Sequence, residues 1–525
     1  MKLLVLLFGL LLLAVPANAA PSAEACAGLA RADFTGLPDA PTALTAATVV
    51  EAANDLPAYC RVEGTIAPQV GFELRMPMTT WNGKYLQQGC GGMCGWINMG
   101  ACEDALARDY AVANTDMGHK GAPNSALWAL NNRQAEIDFA YRATYVTSLA
   151  AKAIIARFYG TPASRAYFRG CSTGGRQALV LAQRFPHAFD GIIAGAPVLN
   201  QTGVGILHLL WSGRAPPDPT GKPLLTPAHV DLVRRSVMTA CDGRDGLEDG
   251  IIQDPTACRW APRALTCGVS RGADCLTGAQ VAAVERLYGG ARDAAGRPLF
   301  PGGMPRGSEH QWVPAFVGAN GATSLVMGPG SLIRDVLRYQ VFWDDPGAAA
   351  DPMAFDFDRD ADRLRLVEPL YNAQNPDLSA FEARGGKLIM WHGWDDLEIP
   401  ATLSIDYFRR LEAAMGGREA ARGFARMFLL PGVAHCRRGP GPDTFDELGY
   451  LEAWVERGVA PDVVTAHKLA TEQNYLGLPR PRFPLKPAEV RWTRPVPAYP
   501  LVAVRRGAAP PEQARAWRFV PMSRP

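Results

Sequence analysis

A mostly parallel α/β sheet with helices on both faces, interrupted by one large insertion, is the fold this sequence predicts. Two observations carry it. Short apolar runs alternate with longer helix-like runs from about Tyr110 to Ala196, and such alternation means parallel strands joined by crossover helices. After Asn200 the texture changes. Pro, Gly and Asp become frequent, four cysteines fall between 241 and 275, and the rhythm returns only at Gly386. Residues 20–200 and 385–525 are therefore expected to form the core, and 201–384 an inserted lid domain.

Taken in order, Lys84–Leu86 and Tyr110–Asp116 read as strands. Phe139–Tyr159 has the apolar spacing of a helix and is ended by Gly160-Thr161-Pro162. Ala166–Arg169 is a short strand, Gly175–Phe185 a helix and Gly191–Ala196 a further apolar strand. Beyond the insertion, Lys387–Trp391 and Met427–Leu430 read as strands and Thr444–Gly458 as a helix. The Pro/Arg-rich end that follows shows no periodicity to assign.

The whole chain narrows the setting. Lys2 precedes an almost wholly apolar run over residues 3–15, and Pro16-Ala17-Asn18-Ala19 is a small-x-small cleavage signature. That pattern predicts a signal peptide over residues 1–19 and an exported protein. The run is shorter than the roughly 20 residues a membrane span needs. The net charge is +2 with no basic stripe, so nucleic acid is not implied. Eleven cysteines in an oxidising compartment should pair and leave at least one over. The eight histidines show no zinc-type spacing with them.

Gly170-Cys171-Ser172-Thr173-Gly174 fits G-x-S-x-G between an expected strand and an expected helix. This is the tight turn that presents a nucleophilic serine in α/β hydrolases, with the next residue's N–H, here that of Thr173, facing the oxyanion. A serine needs a base, and the base needs a carboxylate, in the chain order Ser, acid, His. Asp395 and Asp396 both stand just past the strand Lys387–Trp391, and Asp396 suits the Gly-x-x-Asp-x-x-Ile-Pro spacing. His435 lies in a Gly-containing loop after the last strand of the core, where the base belongs; His392 precedes the acid and reads as a residue behind the site. Cys171 precedes the expected nucleophile and Cys436 follows the expected base, so contact between Ser172 and His435 would bring the two sulfurs into disulfide range. Gln88–Gly95 is Gly-rich after a strand, and the N–H of Gly91 or Gly92 is the expected second oxyanion donor.

In the insertion, Asp242, Asp245 and Asp249 lie in a loop whose glycines let it curl. Hard oxygen ligands in a flexible ring suit Ca²⁺, with the carbonyls of Leu247 and Ile251 completing the shell. Cys258 could clip that loop to Cys241, a closure worth roughly 3 kcal/mol in the chain-entropy model.

These motifs together resemble the tannase/feruloyl esterase family of α/β hydrolases. The carriers are Trp81-Asn82-Gly83-Lys84, Thr115-Asp116-Met117-Gly118-His119, Gly170–Arg176, Cys241-Asp242 through Asp249-Gly250, His392-Gly393-Trp394 and His435-Cys436. The resemblance implies Ser172, Asp396 and His435 as catalytic triad, a Cys171–Cys436 disulfide beside it, and a lid with a structural Ca²⁺ on Asp242, Asp245, Leu247, Asp249 and Ile251. It implies disulfides Cys26–Cys60, Cys241–Cys258 and Cys267–Cys275, and hydrolysis of esters of aromatic acids such as gallate, ferulate or chlorogenate.

The chain departs from the family in three places. The C-terminal end at Arg494-Pro495-Val496-Pro497 lacks a cysteine pair common in the family. Of Cys90, Cys94 and Cys102, the pair Cys94–Cys102 is expected, leaving Cys90. Arg437-Arg438 stand where smaller residues are common and change the polarity beside the site. Of the bulky aromatics in the insertion (Trp211, Trp312, Phe316, Tyr339, Phe342 and Trp343), most are expected in the lid's own core, with some shaping an aromatic acyl pocket. A general carboxylesterase, a terephthalate-monoester esterase and a calcium-dependent binding protein are the competing readings.

Overall fold

The computed structural model describes residues 21–218, 222–268, 274–318, 331–472, 480–507 and 509–523; the expected signal peptide, 1–19, lies outside them. Nine strands form one sheet: β1 (Thr42–Val50), β2 (Tyr59–Ile66), β3 (Val70–Pro77), β4 (Lys84–Gln88), β5 (Ala111–Thr115), β6 (Arg165–Cys171), β7 (Gly191–Gly195), β8 (Lys387–Gly393) and β9 (Ala425–Leu430). Their order is β1-β2-β3-β5-β4-β6-β7-β8-β9. From β5 to β9 every neighbouring pair is parallel. The first three strands and the β3–β5 pair are antiparallel. This is an α/β-hydrolase core.

The parallel strands read as continuous apolar runs because they are covered on both faces. Tyr85, Ala113, Phe168, Ile192 and Met390 point into one core, while Leu86, Val112, Tyr167, Ile193 and Trp391 point into the other. The first core packs the helices Ala143–Tyr159 and Thr173–Arg184 and merges with the insertion; the second packs the helix Glu447–Arg457. Between β7 and β8 the chain leaves the sheet for the whole insertion, which holds helices, including Pro227–Cys241, Gly278–Gly289 and Leu332–Tyr339, and no strand of the main sheet among its described residues.

The unassigned C-terminal end forms two antiparallel ribbons: β10 (Val463–Leu469) with β11 (Val490–Pro497), and β12 (Leu501–Arg505) with β13 (Trp517–Pro521). In place of a disulfide, buried Arg494 in β11 pairs with Asp249 of the acidic loop and lies against the rings of Trp492 and Trp517. No helix of the described residues is long and apolar enough to cross a membrane.

Five disulfides form. Cys26–Cys60, Cys171–Cys436, Cys241–Cys258 and Cys267–Cys275 are as expected. The expected Cys94–Cys102 pair does not form: Cys94 joins Cys90, with Cα atoms 5.5 Å apart, and Cys102 is a buried free thiol. The sheet is the reason. Cys102 packs in the core with Leu86 and Val112, whereas Cys90 and Cys94 pack in the opposite one. Peptide mapping of the non-reduced protein should find Cys90 linked to Cys94. Cys102 should resist alkylation until the protein is denatured, because burial pushes its thiol up to about 12. A Cys102 that reacts in the native protein would contradict this packing.

Candidate active site

Ser172 sits between β6 and the helix Thr173–Arg184 with φ 63° and ψ −125°, a backbone region that L side chains rarely occupy. Close packing on both sides enforces the turn. A Cβ on Gly170 would come within 2.4 Å of the Gly174 carbonyl, and one on Gly175 within 2.3 Å of the Gly195 carbonyl oxygen. The Ser172 N–H donates to that same Gly195 oxygen at 3.0 Å, and Ser172's carbonyl accepts from Arg176 at 3.0 Å. The hydroxyl is thereby held out at the helix N-terminus.

Asp396 follows β8 and His435 follows β9. Ser172 Oγ is 2.8 Å from His435 Nε2, and His435 Nδ1 donates to Asp396 Oδ2 at 2.7 Å. Asp396 is fully buried, and its other oxygen accepts the N–H groups of Glu398 (3.0 Å) and Ile399 (2.9 Å). His392 stands behind it, as expected. Its Nε2 donates to the Ile399 carbonyl at 2.7 Å and lies 3.3 Å from Asp396 Oδ2, and its Nδ1 meets the Ser404 hydroxyl at 2.8 Å. Burial works against the Asp396 charge, but the two imidazoles outweigh it and hold the carboxyl well below its usual range. Burial also works against a charged His435, and Asp396, then Glu398, overcome it and push the imidazole up to about 9. Glu398 Oε2 lies 3.9 Å from His435 Nε2. Asp395 points the other way, towards His310 of the insertion at 3.8 Å, and burial beside Glu309 raises its carboxyl well above the usual range.

The Gly-rich loop after β4 faces this group. Thr173 Oγ1 donates to the Gly92 carbonyl at 2.7 Å. Gly92 has φ 57°, and a Cβ there would come within 2.2 Å of the Pro123 oxygen, so the loop closes only with glycine. A cavity of about 490 Å³ opens over Ser172, His435, Thr173, Gly91 and Gly92. The insertion walls it with Val204, Leu209, Leu332, Ile333 and Val336. None of the six insertion aromatics lines it. Trp312, Phe316 and Phe342 are buried in the core, Trp211 packs on Phe357, and Trp343 is exposed under Arg133. The expectation of a pocket built from lid aromatics is thus corrected: its aliphatic wall comes from helical segments that turn their short branched residues inward. The cavity's indole, Trp96, comes from the Gly-rich loop instead.

The sequence reading missed Glu398, His208, Gln311 and Arg480. His208 Nε2 meets the Leu397 carbonyl at 2.8 Å, and Gln311 donates to the Asp395 carbonyl at 2.7 Å, so two insertion side chains hold the loop that carries Asp396. Nothing in local spacing marks either residue.

In the acidic loop, Asp242 accepts backbone N–H groups of Asp249, Gly250 and Ile251 at 2.9–3.3 Å, and Asp249 is taken by Arg494. Asp245 Oδ1 accepts the Leu247 N–H at 3.0 Å, while its Oδ2 is buried with no partner among the described residues. No group of three or more His, Cys, Asp or Glu side chains is gathered as a metal centre among the described residues. The orphaned Asp245 oxygen, with Asp249 and Asp242 near enough to act on its charge, is the one observation that fits a cation here.

Known proteins share this architecture. The family described as tannase and feruloyl esterase matches residues 50–519. A mono(2-hydroxyethyl) terephthalate hydrolase of Piscinibacter sakaiensis is 34% identical, with 88% of this chain and 85% of that protein covered. A probable feruloyl esterase B-2 of Aspergillus flavus is 33% identical, with 79% and 80% covered. The crystal structure of feruloyl esterase B from Aspergillus oryzae superposes with a TM-score of 0.81 at 27% identity, covering 95% of this chain and 100% of that one. Tannin acyl hydrolase from Aspergillus niger shares the fold, with a TM-score of 0.75 at 22% identity and 96% of each chain covered. The chain belongs to the tannase and feruloyl esterase family and is a carboxylic ester hydrolase.

Proposed function

We propose that this protein is an exported serine esterase for carboxylic esters of aromatic acids, with Ser172 as nucleophile, His435 as general base and acid, and Asp396 as the orienting carboxylate. The observation that carries this is the unbroken line from Ser172 Oγ through His435 to Asp396, at 2.8 and 2.7 Å. In this reading Ser172 attacks the ester carbonyl while His435 takes its proton; His435 then gives that proton to the departing alcohol. A water repeats the sequence on the acyl-enzyme. The helix N–H of Thr173 holds the oxyanion. In the facing loop the N–H of Cys90 goes to Gln177 and that of Met93 to Pro123, so the second donor is the N–H of Gly91 or Gly92.

The substrate class rests on the named relatives, whose ferulate and terephthalate are both aromatic acids, and on a largely apolar cavity that takes a flat ring against Trp96, Leu209 and Ile333. Five disulfides and the N-terminal apolar run support export. Residues 201–384 act as the lid. Ca²⁺ fits the acidic loop through Asp242, Asp245, Asp249 and the carbonyls of Leu247 and Ile251. Bound there, it would supply the counter-charge that Asp245 Oδ2 lacks and brace the lid against β11, with no part in the acyl transfer.

Three outcomes follow. S172A should lower kcat on methyl ferulate by roughly four orders of magnitude or more, and D396N by a similar factor, whereas D395N should cost less than about tenfold. A preference for aliphatic over aromatic methyl esters of equal size would replace the aromatic reading with a general carboxylesterase. The free enzyme works only with His435 neutral, so kcat/KM should rise with pH along an alkaline limb above the usual imidazole range, towards about 9. Because Glu398 helps raise His435, E398Q should move that limb to lower pH; an unmoved limb would remove Glu398 from the site's electrostatics. Finally, chelation should lower Tm and D245A should reproduce the loss, with calcium restoring Tm in the wild type alone. A Tm indifferent to chelator would remove the metal.

A further inference from the structure

Past His435 the cavity wall turns cationic. Arg437, two residues after His435, and Arg480, which precedes Pro481, both line the cavity that contains Ser172. Their guanidinium groups reach the same carboxylate oxygen, Glu447 Oε1, at 2.9 and 3.3 Å. Glu447 is buried at the start of the helix Glu447–Arg457.

The surrounding carboxylates are already engaged. Arg169 takes both oxygens of Asp104, at 2.6 and 2.7 Å. Further out, Arg108 holds Asp446 and Glu452, and Lys84 holds Glu452 and Glu456. The carboxylate that lines the cavity, Glu398, lies against His435. At the wall itself two guanidinium groups therefore share one oxygen, and the Arg437 Nε is buried with no partner among the described residues. Burial and the nearby Arg169 push Arg480 down to about 10, as fits a guanidinium short of counter-charge.

A purely structural staple between the His435 loop and the helix would need one arginine. A second cation on the same buried oxygen adds desolvation cost without a second carboxylate; besides Glu447, Arg437 meets the neutral Cys436 carbonyl at 3.0 Å and the Trp391 ring at 5.4 Å. We propose that Arg437 and Arg480 form an anion subsite that receives a carboxylate carried by the ester substrate. Planar guanidinium groups recognise a carboxylate through paired, charge-assisted hydrogen bonds, and here the ligand supplies the acceptor that the protein leaves out. This deepens the reading given above and rests on hydrolysis at Ser172. The carboxylate can belong to the acid half or the alcohol half of the ester; the chemistry at the arginines is the same.

The test compares kcat/KM for esters that differ by one charge. Monomethyl and dimethyl terephthalate place the carboxylate on the acyl half, chlorogenate and its methyl ester place it on the alcohol half, and monomethyl and dimethyl adipate repeat the first pair without a ring. The wild-type enzyme is expected to favour the charged member of at least one pair by about tenfold or more, the order expected of a charge-assisted hydrogen bond. R480Q should bring that ratio towards one and R480K should retain part of it. The ratio is read within one preparation, so a smaller folded fraction leaves it unchanged. A measurement without any variant is inhibition of the wild type by terephthalate monoamide, which should exceed that by the diamide. Equal rates within every pair, or a preference that R480Q leaves intact, would overturn the subsite. Hydrolysis of the adipate pair alone would instead remove the aromatic reading, and the adipate ratio would still decide the subsite.

Discussion

The disulfide between Cys171 and Cys436 sets the geometry on which the rest of the site depends. Ser172 leaves the sheet at β6 and His435 at β9, with β7 and β8 between them. Strands in a sheet lie about 4.8 Å apart, so those two strand ends are separated by roughly 14 Å. The Cα atoms of Cys171 and Cys436 are nonetheless 6.0 Å apart. Both loops lean across the intervening strands, and both do so in costly conformations: Ser172, Cys436 and Arg438 all have φ between 61° and 74°. Closing so long a loop contributes about 5 kcal/mol in the chain-entropy model. That exceeds the roughly 1–3 kcal/mol that one strained residue costs. The cross-link thus offsets a good part of the strain in the two loops that carry Ser172 and His435.

The insertion is attached through the same loops. His208 and Gln311 bind the carbonyls on either side of Asp396, and Arg176, four residues after Ser172, reaches from the helix into the insertion to the Tyr371 carbonyl at 3.2 Å and back to Phe139 and Ala140. Because of these contacts, loosening the insertion would disturb the loop that carries Asp396. The acidic loop is tied to the C-terminal ribbon by Arg494, and its Ile251 lies against Gly432, three residues before His435.

The site was more legible in the sequence than the fold around it. G-x-S-x-G, the acid and the His-Cys pair each follow a short apolar strand, so local pattern was enough to place Ser172, Asp396 and His435 in one cluster. The strands β5 to β9 were visible as apolar runs for the same reason, within a few residues of their observed ends. The antiparallel β1–β3 edge was not, because β1 is buried only at Thr42 and Ala47, and β2 and β3 carry charges such as Arg61, Glu63 and Glu73 among their apolar residues. Pairing among Cys90, Cys94 and Cys102 depends on which face of the sheet each side chain meets, and three cysteines so close in sequence do not reveal that. The lid aromatics failed for a related reason: size and apolarity mark a residue as buried, but not in which of two cores or against which cavity. Arg480 joins the site only through tertiary packing and left no local trace.

The most direct test of the account is the rate at which a fluorophosphonate labels the wild-type enzyme and the C171A/C436A variant, with the labelled residue identified by mass spectrometry and folding checked by circular dichroism. The account predicts label on Ser172 alone in the wild type, and labelling at least about tenfold slower in the folded variant, because Ser172 and His435 lose the cross-link that brings them together. Label on another residue, or equal rates in the two folded proteins, would contradict it.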